Sequence, residues 1–118
     1  MPKFLSGQTL TSWSIKVPQA VTYASTITPD ASTGDAFKVT ATGDMHIASP
    51  TNPTDGQMLI IEVLASGANR NVITDGPTLL TTGLVQTTAV QSGQVGIFAM
   101  RYSVLRGSVW MLTSVTQG

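Results

Sequence analysis

The sequence predicts an all-β fold: an antiparallel β-sandwich or a jelly-roll-like small barrel, preceded by an N-terminal arm. Three observations predict it. From Gln19 onward, short Thr- and Val-rich runs alternate with clusters of Gly, Pro, Asn and Asp at the spacing of sandwiches and small barrels. Helical periodicity is nearly absent. The polar corner Ser49-Pro50-Thr51-Asn52-Pro53-Thr54-Asp55-Gly56-Gln57 runs directly into the apolar stretch Met58 to Ala65. Two prolines and an Asp-Gly pair there reverse the chain and deliver it into a strand.

Residues 1–18 differ from the remainder and read as an arm, leaving residues 19–118 as one β domain. The arm is patchily apolar, with Phe4, Leu5, Leu10, Trp13 and Ile15, and is closed by Pro18. A tryptophan in a terminal segment finds a partner surface, on its own domain or on a neighbouring subunit. Gln19 to Ile27 forms a first strand, ended by a loop over residues 28–35 that is rich in turn formers. Ala36 to Thr42 follows, with Phe37, Val39 and Ala41 on one face and Lys38, Thr40 and Thr42 on the other, so one face is buried and one wet.

Gly43-Asp44 turns the chain into a short strand from Met45 to Ala48, and the corner then leads to Met58–Ala65. That stretch is apolar on both faces except for Glu62. It reads as the central strand, with one face on the core and the other on a second subunit or an arm. A charge introduced at Ile60 is therefore expected to abolish soluble expression or assembly. Ser66 to Asn71 reads as a hairpin turn into Val72–Thr74, and Asp75-Gly76-Pro77 breaks the pairing again. Thr78 to Ser92 reads as an irregular strand or loop. Gln94–Val104 and Ser108–Thr116 form an antiparallel pair joined by Leu105-Arg106-Gly107, with Gly107 supplying a positive φ. Phe98, Met100, Tyr102 and Val104 share a face of the first. On the second, either Trp110 and Leu112 or Val109, Met111 and Val115 point inward. No internal repeat of solenoid period appears.

Bulk properties narrow the function. At 118 residues the chain supports one core. Its formal net charge is zero with only 10% charged residues, so it carries no field to hold nucleic acid. A mean hydropathy of +0.20 together with zero net charge favours self-association, and an oligomer is expected. There is no cysteine, hence no disulfide and no thiolate metal site. No apolar run is long enough for a signal peptide or a bilayer span, so no membrane partner is expected.

Three stretches together carry a resemblance: Thr26-Ile27-Thr28-Pro29-Asp30, Phe37-Lys38-Val39-Thr40-Ala41-Thr42-Gly43, and Asn52-Pro53-Thr54-Asp55-Gly56-Gln57 before an apolar strand. With the closing hairpin and its Trp110, residues 24 to 115 resemble a small β domain of tailed-bacteriophage virion proteins. Such domains occur at the ends of tail fibres and spikes or as head-decoration modules. The resemblance implies a structural virion part, assembled in the host bacterial cytoplasm, with the major capsid protein and the chain itself, as a homotrimer, for partners. Where that family continues into a Gly-rich hairpin, this chain has Ser66-Gly67-Ala68-Asn69-Arg70, which is shorter on glycine.

The chemical audit names no catalytic residue, no metal ligand and no cofactor. His46 is the only histidine and sits near Asp44 without a serine elbow or a third ligand. Asp30, Asp35, Asp44, Asp55 and Asp75 adjoin turn signals and read as turn formers and caps. Glu62, alone in an apolar strand, is expected to pair with Arg101 or Arg70. Arg101, Tyr102 and Trp110 also suit a sugar platform, though core or interface packing is the stronger expectation. The candidate interface residues are thus Phe4, Leu5, Leu10, Trp13, Ile15, Glu62, Arg101 and Trp110. Two function classes follow. One is a capsid decoration (cement) protein that stabilises the assembled head through its arm and sheet edges. Its support is a chain expected to be complete from Met1 and an arm too short for a fibre shaft. The alternative is a tail-fibre or receptor-binding module reading a host-surface glycan or protein through loops at 28–35, 66–71 and 84–93, which hold no aromatic residue. A hydrolase lacks any convergent set of groups.

Overall fold

A computed structural model of the chain describes residues 17–74, 79–80 and 86–118. Among the described residues there are ten strands and no helix: β1 (Gln19–Ala20), β2 (Thr26–Ile27), β3 (Ala36–Ala41), β4 (Met45–Ile47), β5 (Met58–Ala65), β6 (Arg70–Thr74), β7 (Leu79–Leu80), β8 (Gln86–Val90), β9 (Val95–Ser103) and β10 (Val109–Gln117). The all-β expectation holds. The strands form a six-stranded sheet ordered β1-β3-β5-β9-β10-β7 and a four-stranded sheet ordered β2-β4-β6-β8.

The pairing is mixed rather than antiparallel. Up to β8 the chain changes sheet at every step, so β1, β3 and β5 lie parallel in one sheet while β2, β4 and β6 lie parallel in the other. Three windings of a two-sheet coil result. A third contact line runs outside the strands, where Asp30 and Thr51 form an isolated parallel bridge. The remaining strands close the structure: β8 is antiparallel to β6, β9 to β5 and β10 to β9, while β7 lies parallel to β10.

This winding corrects two expectations. The Gln19–Ile27 strand is split into β1 and β2, which belong to different sheets. Residues 66–69 do not make a hairpin but carry the chain from β5 in the larger sheet to β6 in the smaller one. Part of the ambiguous Thr78–Ser92 region forms β7 and β8. The closing hairpin stands as read from the sequence, with Gly107 at φ 102°.

One apolar cluster lies between the inner faces. It includes Phe37, Val39 and Ala41 of β3, Leu59, Ile61, Val63 and Ala65 of β5, and Phe98 and Met100 of β9, together with Met45, Ile47, Val72 and Val90 from the smaller sheet. The period-2 alternation of β3 and β5 puts their odd-numbered residues inside. On β10 a register shift between Leu112 and Ser114 leaves Thr113 as an extra residue, its hydroxyl donating to the Ala99 carbonyl at 3.1 Å. The bulge brings Trp110, Leu112 and Val115 all to the core side, drawing from both sets the sequence offered as alternatives.

The corner at residues 49–57 fastens these windings together. Its Pro50 carbonyl accepts the Trp110 indole N–H at 3.0 Å. The Gln57 side-chain amide donates to the Ala31 carbonyl at 2.9 Å, its backbone carbonyl accepts the Tyr102 N–H at 2.9 Å, and the Tyr102 carbonyl accepts the Gly56 N–H at 2.9 Å. Asp55 caps the Val104 N–H at 3.0 Å. Asn52, at φ 53°, turns the chain in the left-handed region that Asn tolerates, and its side-chain amide donates to Asp30 at 3.1 Å. Among the described residues no buried side-chain N or O atom lacks a partner.

Candidate interaction surface

The even-numbered residues of β5 follow from the same alternation that builds the core, and they face away from it. Met58, Ile60 and Leu64 are 50%, 40% and 37% exposed, and Ile97 of the adjacent β9 is 38% exposed. These side chains share one face, because Ile60 stands opposite Ala99, Glu62 opposite Ile97 and Leu64 opposite Val95. A row across the sheet places Met58, Arg101 and Met111 side by side. Apolar groups gathered on one outer sheet face form the kind of patch that marks an interaction surface.

The sequence expectation that β5 is the central, two-sided strand thus receives a geometric form. β5 is flanked by β3 and β9, and its inner face is buried. Its outer face is left bare by the described residues. Toward the β1 edge this face opens into a groove of about 280 Å³ lined by Ala20, Tyr23, Lys38, Glu62, Leu64 and Val95 among others.

The charges on this face differ from the expected pairing. Glu62 stands beside Lys38 of β3 and Ile97 of β9. Arg101 is level with Met58, farther along β5. Arg70 is turned away, its guanidinium donating to the Ser66 carbonyl at 2.7 and 3.0 Å, so within one chain it braces the 66–69 corner instead of meeting Glu62.

Trp110 is not on this surface. It is buried in its own domain, packed edge-to-face on Tyr102 with ring centroids 5.3 Å apart at 61°, and its N–H is used by Pro50. Neither a subunit contact nor a sugar platform has access to its face, which corrects its placement among the interface candidates. Phe4, Leu5, Leu10, Trp13 and Ile15 lie outside the described residues, as does the arm up to Lys16.

The polar clusters are structural in form. Asp30 is held below its ordinary value of 3.8 first by the Ser32 hydroxyl at 2.7 Å, then by Asn52 and by the Ser32 N–H. This is an Asx turn tied to the next corner. The Asp44 carboxylate accepts the Asn71 N–H at 2.9 Å, and its carbonyl accepts the Tyr23 hydroxyl at 2.8 Å. Among the described residues no group of three or more His, Asp or Glu is placed to hold a metal ion. The loops at 66–71 and 91–94 are joined by a bond from the Ser92 N–H to Asn69 at 2.9 Å. No protein-family model matches the chain, and comparison with curated proteins gives no match.

Proposed function

We infer that the chain is a structural, non-enzymatic virion protein of a tailed bacteriophage. In this reading it decorates the capsid, binding and stabilising the assembled head as a homo-oligomer. The observation that carries the association part is the bare row of Met58, Ile60, Leu64 and Ile97 on the outer face of the larger sheet. Zero formal net charge leaves little repulsion between copies packed on a shell. The polar side chains best placed for chemistry, Asp30, Asp44 and Asp55, are occupied in bracing corners. The virion assignment itself rests on the resemblance of residues 24 to 115 to phage virion β domains.

The test is a binding experiment with particles. Purified chain is mixed with phage heads that lack it and the mixture is sedimented. Saturable cosedimentation with heads, reaching a fixed ratio to the capsid subunit, is the expected result. Binding to tails alone would transfer the protein to a fibre or receptor-binding role, and binding to neither would overturn the virion reading.

A further inference from the structure

The outer face of the larger sheet carries an acid and a base on opposite sides of an apolar centre. Ile60 of β5 stands level with Ala99 of β9, and both belong to that face. Two residues along β5 in one direction is Glu62, level with Ile97, and two residues in the other is Met58, level with Arg101. At roughly 3.3 Å per residue, the carboxylate is rooted about 7 Å to one side of the Ile60 level and the guanidinium about 7 Å to the other. Within one chain they do not meet. The Arg101 guanidinium lies beside Gly56, 3.8 Å from where a Cβ would stand there, on the side of Met58 away from Glu62.

Such a face is complementary to itself. A two-fold axis at Ile60, lying in the plane of contact and across the strands, sets β5 of one copy antiparallel to β5 of another. It leaves each strand over its own counterpart and exchanges the Met58 level with the Glu62 level. Glu62 of each copy then sits over Met58 of the other, one strand, about 4.8 Å, aside from that copy's Arg101. Ile60 and Ala99 meet their own counterparts at the axis. Two identical Glu62–Arg101 pairs therefore form around an apolar middle, and the same face on a second copy supplies the missing partner of each charge. An axis along the strands would leave Glu62 and Arg101 at different levels and pair neither. The area is sufficient as well: β3, β5, β9 and β10, about 4.8 Å apart over the eight residues of β5, present about 500 Å² per copy. Two copies together bury about 1,000 Å², the lower end of specific interfaces.

We propose that two copies of the chain pair face to face through the outer side of the six-stranded sheet, about a two-fold axis at Ile60, with Glu62 of each copy paired to Arg101 of the other. The pairing rests on the homo-oligomer part of the function proposed above and not on the virion part. Heads that fail to bind the chain would overturn the virion role and leave this arrangement intact.

Charge reversal in separate full-length chains tests it, read by analytical ultracentrifugation. Glu62→Arg leaves only cations at the two positions, and Arg101→Glu leaves only carboxylates. Each variant alone is expected to dimerise at least about tenfold more weakly than the unmodified chain, because like charges then oppose each other twice per pair. Mixed one to one, the two variants are expected to form a heterodimer with a dissociation constant close to that of the unmodified dimer. A mixture that associates no better than either variant would overturn the pairs between copies, and an unmodified chain whose smallest assembly is a trimer would overturn the two-fold axis. An unmodified chain that stays monomeric would overturn the homo-oligomer reading together with the pairing. A second measurement needs no variant and decides if either reversal fails to fold. Peroxide oxidation of Met58, with the fully buried Met45 and Met100 as internal controls, is expected to slow several-fold between monomer and dimer. A Met58 rate unchanged over that range would overturn this face as the contact.

Discussion

Trp110 ties the last strand to a corner 60 residues earlier in the chain, through the hydrogen bond from its indole N–H to the Pro50 carbonyl. Replacing it with Phe keeps an aromatic ring beside Tyr102 but leaves that carbonyl without its donor. Denaturant unfolding of Trp110→Phe is expected to show a loss of about 1–3 kcal/mol, and an unchanged midpoint would show that water replaces the indole. Asp30 acts through charge. Its carboxyl is lowered in the folded state, so its contribution is present above 3.8 and is lost as pH falls through the folded value. Asp30→Asn should melt below the unmodified chain at neutral pH, with the difference disappearing in acid, and a gap that persists in acid would assign the effect to geometry alone. The turn role of Asp30 was legible from its place between Pro29 and Ser32. Its bond to Asn52 was not, because it depends on stacking of two windings separated by an entire loop.

At the scale of elements, alternation made β3, β5 and the β9–β10 hairpin readable, because a half-buried strand writes its inner face into every second residue. The parallel windings were not readable. Gln19 stacks on Phe37 while Ala36 stacks on Ile60, so the offset grows from one winding to the next and no sequence period survives. The Thr113 bulge also hides from a period-2 reading, which assigns Leu112 and Val115 to opposite faces. Tight packing at the start of β9 is a further consequence of this topology. A Cβ on Gly96 would lie 2.8 Å from Val90 of the smaller sheet and 3.1 Å from Phe98. Both neighbours are fully buried. Gly96→Ala is accordingly expected to cost about 1–3 kcal/mol by overpacking, measured by thermal or denaturant unfolding. A neutral substitution would mean that the two sheets separate easily at this end.

For the whole molecule, the proposed association through the outer face of the larger sheet is separable from folding. In a single chain Ile60 is 40% exposed, so Ile60→Asp does not bury a charge in the core, and the sequence-level expectation of insoluble protein gives way to a narrower one. The variant should be soluble and folded, with a stability loss of about 1 kcal/mol or less. In sedimentation it should be monomeric at concentrations where the unmodified chain is an oligomer. An Ile60→Asp protein that still oligomerises would remove this face from the assembly contact. The sequence made the two-sided character of β5 legible through its unbroken apolar run. It also named Arg101 and Glu62 without revealing that they stand at different levels of the sheet, since register between distant strands is set by the folded chain.

The proposed place of the protein on the phage head is tested most directly by its copy number in purified virions, measured by quantitative mass spectrometry against the major capsid protein. A ratio approaching that of the capsid subunit itself is expected. A few copies per particle would point to the tail or a fibre, and complete absence would contradict the virion assignment.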